Sequence, residues 1–515
     1  MRPVKSLMSC LMALVCLGSL ACSHPIDNTS NPDFAVTDRG DRIMDYSHAG
    51  YGGGGVALPQ APVVETVSLS AGITDYSPVI QAAIDRVSAM PVKNGLRGAV
   101  LLSPGDYPCS SEIRISEDGV VLRGSGARGE GMSRILMSGD KHTAVVIRRR
   151  NQSAPNMTAL NQPAIKVSDA YVPFGSPKVT LAQAAPFKKG DVVWIQKKVT
   201  RKWISFMHMD DMYRDGKHQT WIAEGTWLTT ERTVGSVSGN KLTFTVPLAD
   251  SYDREYTSDS TFVSLAPKTD CWVVNSGVEH LSIVSPDQAE SHTTAKYYAL
   301  SIAGKDCWAQ DMDLFETMES VRASGSRITL RKISVIREAD HQGSSKPAEF
   351  APNAGQILMD SCYVKGNNIW FVGIGARIFG PIVMLNCTFD GNGRIQGHQR
   401  WSTAFLLDNC KVPDGGIDFI NRGEMGSGHG WGTAWSVAWN CEAKELVNQL
   451  PPGTFNLMVG CIGERVLKRR PFSTDGPMLE EGQFKDYGTH VSPKSLYLAQ
   501  LEERLGPQAL KAIGY

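Results

Sequence analysis

Two short stretches gather side chains able to neutralise an anion and to move a proton: GHQRWSTAFLLDN (397–409) and GIDFINRGEMGSGHGWGTAWSVAWNC (416–441). Between them they carry His398, Arg400, Trp401, Asp418, Asn421, Arg422, His429 and Trp431. An arginine fork holds a carboxylate through two parallel hydrogen bonds, imidazole exchanges protons near neutral pH, and an indole offers a broad apolar face to a sugar ring. These residue types suit an anionic, uronate-bearing glycan, and two reactions compete. In β-elimination Arg400 or Arg422 neutralises the uronate carboxylate, which acidifies the C5 proton, and His398 or His429 serves as base or acid. In hydrolysis two carboxyl groups flank the scissile bond, and Asp418 is the clearest candidate. A noncatalytic glycan-binding or surface structural protein is the third reading.

Such a cluster needs a scaffold, and the scaffold is a repeat. VEHLSIV (278–284), AQDMDLF (309–315), LRKISVI (330–336), MDSCYVK (359–365), MLNCTFD (384–390), LDNCKVP (407–413), AWNCEAK (438–444) and MVGCIGE (458–464) align on a central residue: Leu281, Met312, Ile333, Cys362, Cys387, Cys410, Cys441 and Cys461. A spacing of 20 to 31 residues with variable insertions is the signature of a solenoid. Apolar residues recur two places after the centre and three places before it. The two-residue step is a strand facing inward, and the three-residue step marks a corner just before the centre. Asp311, Ser361, Asn386, Asn409 and Asn440 occupy that corner, as small polar residues do in tight turns. Strand, corner with stacked Asn, strand predicts an all-β, right-handed parallel β-helix. The cysteines in the central column are expected to be inert interior thiols packed as small apolar groups. Asp360 and Asp408 fall beside the corner and are assigned a structural role.

In chain order, Arg2 and Lys5, an apolar run to Leu20, and Ala21-Cys22 have the layout of a secretory signal over 1–22, with Cys22 as a candidate lipidation site. Residues 23–45 are expected to be a polar tether. The N-terminal cap and first rungs are assigned to 46–175, with an end-capping helix after Ser77 and Pro78. Alternating segments separated by Gly turns make 176–265 an antiparallel β insertion. Its aromatic-rich loop, Trp203 to Trp227, is either a lid over a groove or packing on the solenoid wall. The main β-helix is placed at 266–466, and 467–515 is an extension with a helix opened by Ser492 and Pro493.

Fifty-two Lys and Arg balance 52 Asp and Glu without long basic runs, which argues against a nucleic-acid partner. The expected partner is a polysaccharide, membrane contact is expected only through an N-terminal lipid, and the chain is expected to be a monomer. Cys and His spacings give no zinc motif. Adjacent Asp210 and Asp211 fall short of the six or more oxygens Ca²⁺ takes, so no cofactor is expected.

The segments AGYGGGG (49–55), SPVIQAAID (77–85), GAVLLSPGDY (98–107), GVVLRGSG (119–126), HQRW (398–401), NRGEMGSGHGW (421–431), WNC (439–441) and SLYLAQLEERLG (495–506) resemble bacterial pectate-lyase-like parallel β-helix proteins, a superfamily of polysaccharide lyases and glycoside hydrolases. The resemblance spans nearly the whole chain beyond the signal. Where such proteins often carry an Arg, His and Asp cluster, this chain has NNIWFVGIG (367–375). The resemblance implies an exported, periplasmic, outer-membrane or extracellular protein whose glycan lies along the outer face of one sheet. That face is expected to show Arg322, Trp370, His398, Arg400, Asp418 and Arg422, with His429 and Trp431 on the loop beyond and Trp401 and Asn421 beside them.

Overall fold

The three-residue step in the repeat is a corner in the left-handed region of backbone space. The residues preceding the central column, His280, Asp311, Lys332, Ser361, Asn386, Asn409 and Asn440, have φ between 50° and 57°, and Gly460 has φ 63°. Asn and Asp tolerate this conformation better than most residues with a Cβ, which explains their place in the column. The corner turns the strand direction sharply, and the next rung repeats it.

The computed structural model describes residues 36–289, 291, 293–340, 345–472 and 476–515. The signal segment, Cys22 and residues 23–35 lie outside the described residues. The chain folds as a right-handed parallel β-helix whose strands pair in one large sheet. Its register reproduces the sequence columns. Val278 pairs in turn with Ala309, Leu330, Met359, Met384, Leu407, Ala438 and Met458. On the far side of the corner Ile283, Leu314, Val335, Val364 and Phe389 pair in the same way. Both columns are buried in one continuous core.

The central cysteines occupy this core as free, buried thiols. Each donates to the carbonyl three places before the centre of the preceding rung: Cys362 to Leu330 at 3.4 Å, Cys410 to Met384 at 3.2 Å, Cys441 to Leu407 at 3.4 Å and Cys461 to Ala438 at 3.4 Å. Burial pushes the Cys387 and Cys441 thiols of this column well above their ordinary value, which suppresses thiolate chemistry at both. The buried thiols are expected to resist an aromatic disulfide reagent in the native protein and to react on denaturation. Rapid native labelling of Cys410 or Cys441, located by peptide mapping, contradicts this packing.

The helix Ser77–Ser88 plugs the open end, burying Ile80, Ala83, Ile84 and Val87 against the first rungs. Between the rung of Thr143–Ile147 and that of Gly277–Val284 the chain leaves the solenoid to form a six-stranded antiparallel sheet. That sheet begins at Ala164–Lys166, earlier than the expected residue 176, and ends at Thr261–Leu265. At the other end Gln483–Lys485 pairs with Asn456–Val459, extending the solenoid beyond residue 466.

The expected tether does not extend to residue 45. Asp41, Ile43 and Met44 are buried, and the Asp41 carboxylate accepts from the Tyr171 hydroxyl at 2.6 Å and the Phe174 amide at 2.8 Å. The C-terminal helix begins at Leu496, with Ser495 rather than Ser492 as its cap, and a second helix follows at Pro507–Ile513. The corner-flanking carboxylates hold this region. Asp408 accepts from Ser495 Oγ and the Tyr497 amide, both at 2.7 Å, and Asp360 from the Tyr515 hydroxyl at 2.6 Å. The helices therefore brace the side of the solenoid. The Asn ladder is partial: Asn409 donates to Asn386 at 2.6 Å, whereas the Asn440 amide is taken by the carbonyls of Val491, Pro493 and Lys494.

Candidate functional site

Outward side chains alternate with core residues on the strands Trp370–Ile374, Arg394–Gly397, Lys411–Phe419 and Glu442–Asn448. Val372, Ile395, Ile417 and Leu446 point in and are buried, and their paired register leaves two outward columns. One column holds Trp370, Arg394, Gly416 and Glu445; the other holds Gly373, Gln396, Asp418 and Val447. The absence of a side chain at Gly416 is a packing requirement, since a Cβ there would fall 2.3 Å from the Arg394 guanidinium carbon.

Arg422 and His429 reach this face from a loop closed on itself. Asn421 and Trp431 form an isolated antiparallel bridge, the Arg422 amide donates to the Gly430 carbonyl at 2.8 Å, and Gly430 returns a bond to Gly423 at 2.9 Å. Gly430 has φ 55°, and a Cβ there would meet the Trp221 ring at 2.4 Å. Asn421 is buried; its side chain accepts from the Gly423 amide and its own amide donates to Gln449.

Arg422 is the centre of the cluster. It is 7% exposed, and its Nη1 lies 2.9 Å from His429 Nδ1, 2.9 Å from the His398 carbonyl, and 2.9 and 2.8 Å from the two ring nitrogens of His398. A neutral imidazole has one acceptor nitrogen, so one of the His398 nitrogens, the His398 carbonyl and His429 Nδ1 share the two hydrogens of Nη1. The guanidinium carbon stands 5.2 Å over the Trp370 ring, with the His398 ring 5.7 Å from the same indole. Among the described residues no carboxylate lies within ion-pair distance of Arg422. Burial lowers its pKa to about 10, with Asp418 acting in the opposite direction, so it stays charged at neutral pH.

The same environment acts on His429, whose pKa falls to about 3 through burial and then the nearby Arg422 and Arg400 charges. Its ordinary value is 6.5. Between these values the unfolded chain binds a proton that the folded chain refuses, so stability rises with pH through this window and is lost as pH falls through it. His429→Gln is expected to flatten the pH dependence of urea unfolding between about pH 3 and 6.5 relative to the parent. Parallel profiles for the two proteins count against the assignment.

Three further residues complete the face and were not singled out from the sequence. Arg394 binds both oxygens of Asp418 through Nε, at 3.2 and 3.1 Å, and through Nη2, and binds Glu445 at 2.6 Å. Burial disfavours the Arg394 charge, yet these two carboxylates more than offset it and its pKa rises. Gln396 donates to Asp418 at 3.4 Å. Lys346 projects its ammonium 5.5 Å over the Trp370 ring, and burial followed by repulsion from Arg394 lowers its pKa. The sequence signal was the run Arg394-Ile395-Gln396-Gly397-His398, in which the outward residues alternate with an inward column.

Arg400, Trp401 and Trp431 do other work, and Arg322 stands apart from the cluster. Arg400 has its fork engaged by the Trp221 carbonyl at 2.8 Å, the Gln399 side chain at 2.7 Å, and Ser427 through carbonyl and hydroxyl at 3.1 and 2.6 Å. It locks the site loop to the insertion. Trp401 and Trp431, expected at the ligand, are 1% and 3% exposed. The Trp401 indole donates to Asp250 at 2.9 Å, and that of Trp431 to the Met207 carbonyl at 2.9 Å. The aromatic-rich loop packs on the solenoid wall, with Trp203 4.9 Å from Trp221 and 5.3 Å from Trp401, ring to ring. Arg322 lies on the same sheet, rungs away from the cluster. Asp210 and Asp211 point to separate partners, Ser205 and Arg470, and among the described residues no group of three His, Cys, Asp or Glu is placed to hold a metal ion.

No protein-family model and no curated protein matches this sequence. Solved structures with a similar chain course include the Gp54 tailspike of Acinetobacter baumannii bacteriophage AP22, in complex with A. baumannii capsular saccharide, at 13% identity and TM-score 0.37, over 81% of this chain and 66% of the tailspike. The mannuronan C-5 epimerase AlgE4 A-module of Azotobacter vinelandii matches at 11% identity and TM-score 0.30, over 78% of this chain and 96% of that one. The PL6 family polysaccharide lyase Pedsa3628 from Pseudopedobacter saltans matches at 10% identity and TM-score 0.28, over 82% and 92%. Similarity at this level carries no chemistry across. The class rests on the chain's own register and site: a parallel β-helix with a cationic, imidazole-bearing outer face.

Proposed function

We propose that the protein is an exported carbohydrate-active β-helix enzyme that cleaves an acidic polysaccharide by β-elimination. The observation that carries this reading is Arg422, an almost buried guanidinium with no carboxylate partner among the described residues, packed against two imidazoles and over Trp370. A buried charge is costly unless an anion compensates it, and a uronate carboxylate supplies one. Neutralised there, the uronate loses its C5 proton to His398, the bond from C4 to the bridging oxygen breaks, and a C4–C5 double bond forms. Lys346, whose proton is loosened by burial and Arg394, gives a proton to the departing oxygen. His429 is a positioning residue: its Nδ1 accepts from Arg422, which fixes the ring tautomer and the fork together.

Hydrolysis fits this face less well, because it needs a carboxyl that remains protonated. Asp418 is held through both oxygens by Arg394, and the hydrogen bond from Arg394 lowers the pKa of Glu445. Export rests on the N-terminal sequence pattern. The test is a panel of uronate and neutral polysaccharides followed by ultraviolet absorbance of unsaturated uronate and by new reducing ends. Both signals rising together on a uronate polymer are expected. Reducing ends without absorbance reject elimination, and binding without either signal rejects catalysis.

A further inference from the structure

The outer face that carries the cluster continues toward the N-terminal rungs, where its composition changes. Arg322 is registered with Ala351, Ala348 with Trp370, and Gly373 with Gln396. Between Arg322 and the Trp370 indole the outward positions are therefore alanine or glycine. Close packing keeps the floor low: a Cβ at Gly373 would lie 2.8 Å from that of Ala348. At the far end of this smooth stretch the Arg322 guanidinium carbon stands over the Tyr298 ring, 4.2 Å from its centroid, and Lys296 Nζ stands 5.4 Å from the same ring. Glu319 pairs with one terminal nitrogen of Arg322 and so sets the direction of the fork. The Arg322 side chain remains 45% exposed, and its Nε and second terminal nitrogen have no partner among the described residues.

We infer that Arg322 and Tyr298 form a distal subsite that binds the carboxylate of a second uronate on the same glycan chain. It lies three rungs from the strand leading to His398, which is about 14 Å at roughly 4.8 Å per rung. The inference rests on the uronate reading of the Arg422 site and adds to it a preference for chains long enough to span both cations. A guanidinium resting over an aromatic ring leaves its edge nitrogens able to make a two-point carboxylate contact. The small residues between leave room for the intervening sugars, and the aromatic ring beneath holds the fork at low entropic cost.

The test uses the full chain carrying His398→Ala to prevent turnover, titrated calorimetrically with oligogalacturonates and oligomannuronates graded from disaccharide upward. Long oligomers are expected to bind about tenfold or more tighter than short ones, as one charge-assisted contact would provide. Adding Arg322→Ala should erase that gain and leave short-chain affinity unchanged, with Arg322→Lys recovering only part of it. Tyr298→Leu should weaken long-chain binding alone. Long-chain affinity untouched by Arg322→Ala, or equal losses for short and long oligomers, overturns the subsite while leaving the Arg422 reading intact. Arg422→Ala without effect on short-chain binding, alongside a lost long-chain gain in Arg322→Ala, overturns the Arg422 assignment and keeps the subsite. Failure of every uronate oligomer to bind overturns both.

Discussion

Arg422→Ala is expected to lower kcat/KM on a uronate polymer by about a hundredfold to a thousandfold, the loss typical of deleting one preorganised group that stabilises developing negative charge. The charge that appears in elimination is on the carboxylate and the carbon beside it. In the proposed reaction Arg422 would meet it from a buried position, where little water remains to screen the interaction. Because the guanidinium is bonded to His429 and to the His398 carbonyl before any ligand arrives, it needs no reorganisation when charge develops. Arg422→Lys should recover only a small part of the rate, since an ammonium keeps the charge and loses the planar fork. Melting temperature and near-ultraviolet circular dichroism on the same samples separate loss of chemistry from loss of fold. A variant with near-parent kcat/KM sinks the proposed site.

The second large effect is on stability. Trp401→Ala is expected to destabilise the fold by about 3 to 5 kcal/mol, the usual result of emptying a buried aromatic site. Trp401 packs edge-on against Trp203 and Trp221 and bonds Asp250 in the seam between solenoid and insertion. The loss should appear in urea unfolding, while glycan affinity per folded molecule stays near that of the parent. Trp370→Ala should do the reverse, weakening glycan binding with little change in unfolding, because its indole is only partly buried and lies beneath Arg422 and Lys346. If Trp401→Ala unfolds like the parent and binds glycan poorly, the assignment of the two indoles must be exchanged.

These two indoles show where sequence reasoning reached its limit. Trp370 and Trp401 are the same residue type, and one neighbours His398 in space, 5.7 Å ring to ring, the other in the chain. In a strand, side-chain direction follows from alternation, and Trp370 lies two places before the inward Val372, with a register shift between them. Trp401 sits at φ 63°, beyond the end of its strand, where alternation no longer specifies direction. Arg400, at φ 51°, is in the same position, and its fork turns to the Trp221 carbonyl far away in sequence. Arg394 was missed for a related reason: an outward arginine looks like any solvated charge until Asp418 and Glu445 arrive from the next two rungs.

The spacing of apolar residues and the small polar residues before each central position determined the parallel β-helix, its register and its inert cysteine column. One short stretch suffices to specify a corner, and each rung repeats it against its neighbour. Alternation along the strand Lys411–Phe419 sets Asp418 on the face opposite the buried Ile417 and Phe419. Only the tertiary structure decided what each of the neighbouring cations contacts. That depends on loops from the insertion and from residues 421–431 meeting across the solenoid, and on whether a guanidinium finds carbonyls, a carboxylate or imidazoles when it gets there. Arg400 met carbonyls and became a brace, Arg394 met two carboxylates, and Arg422 met two imidazoles and, among the described residues, no carboxylate at ion-pair distance.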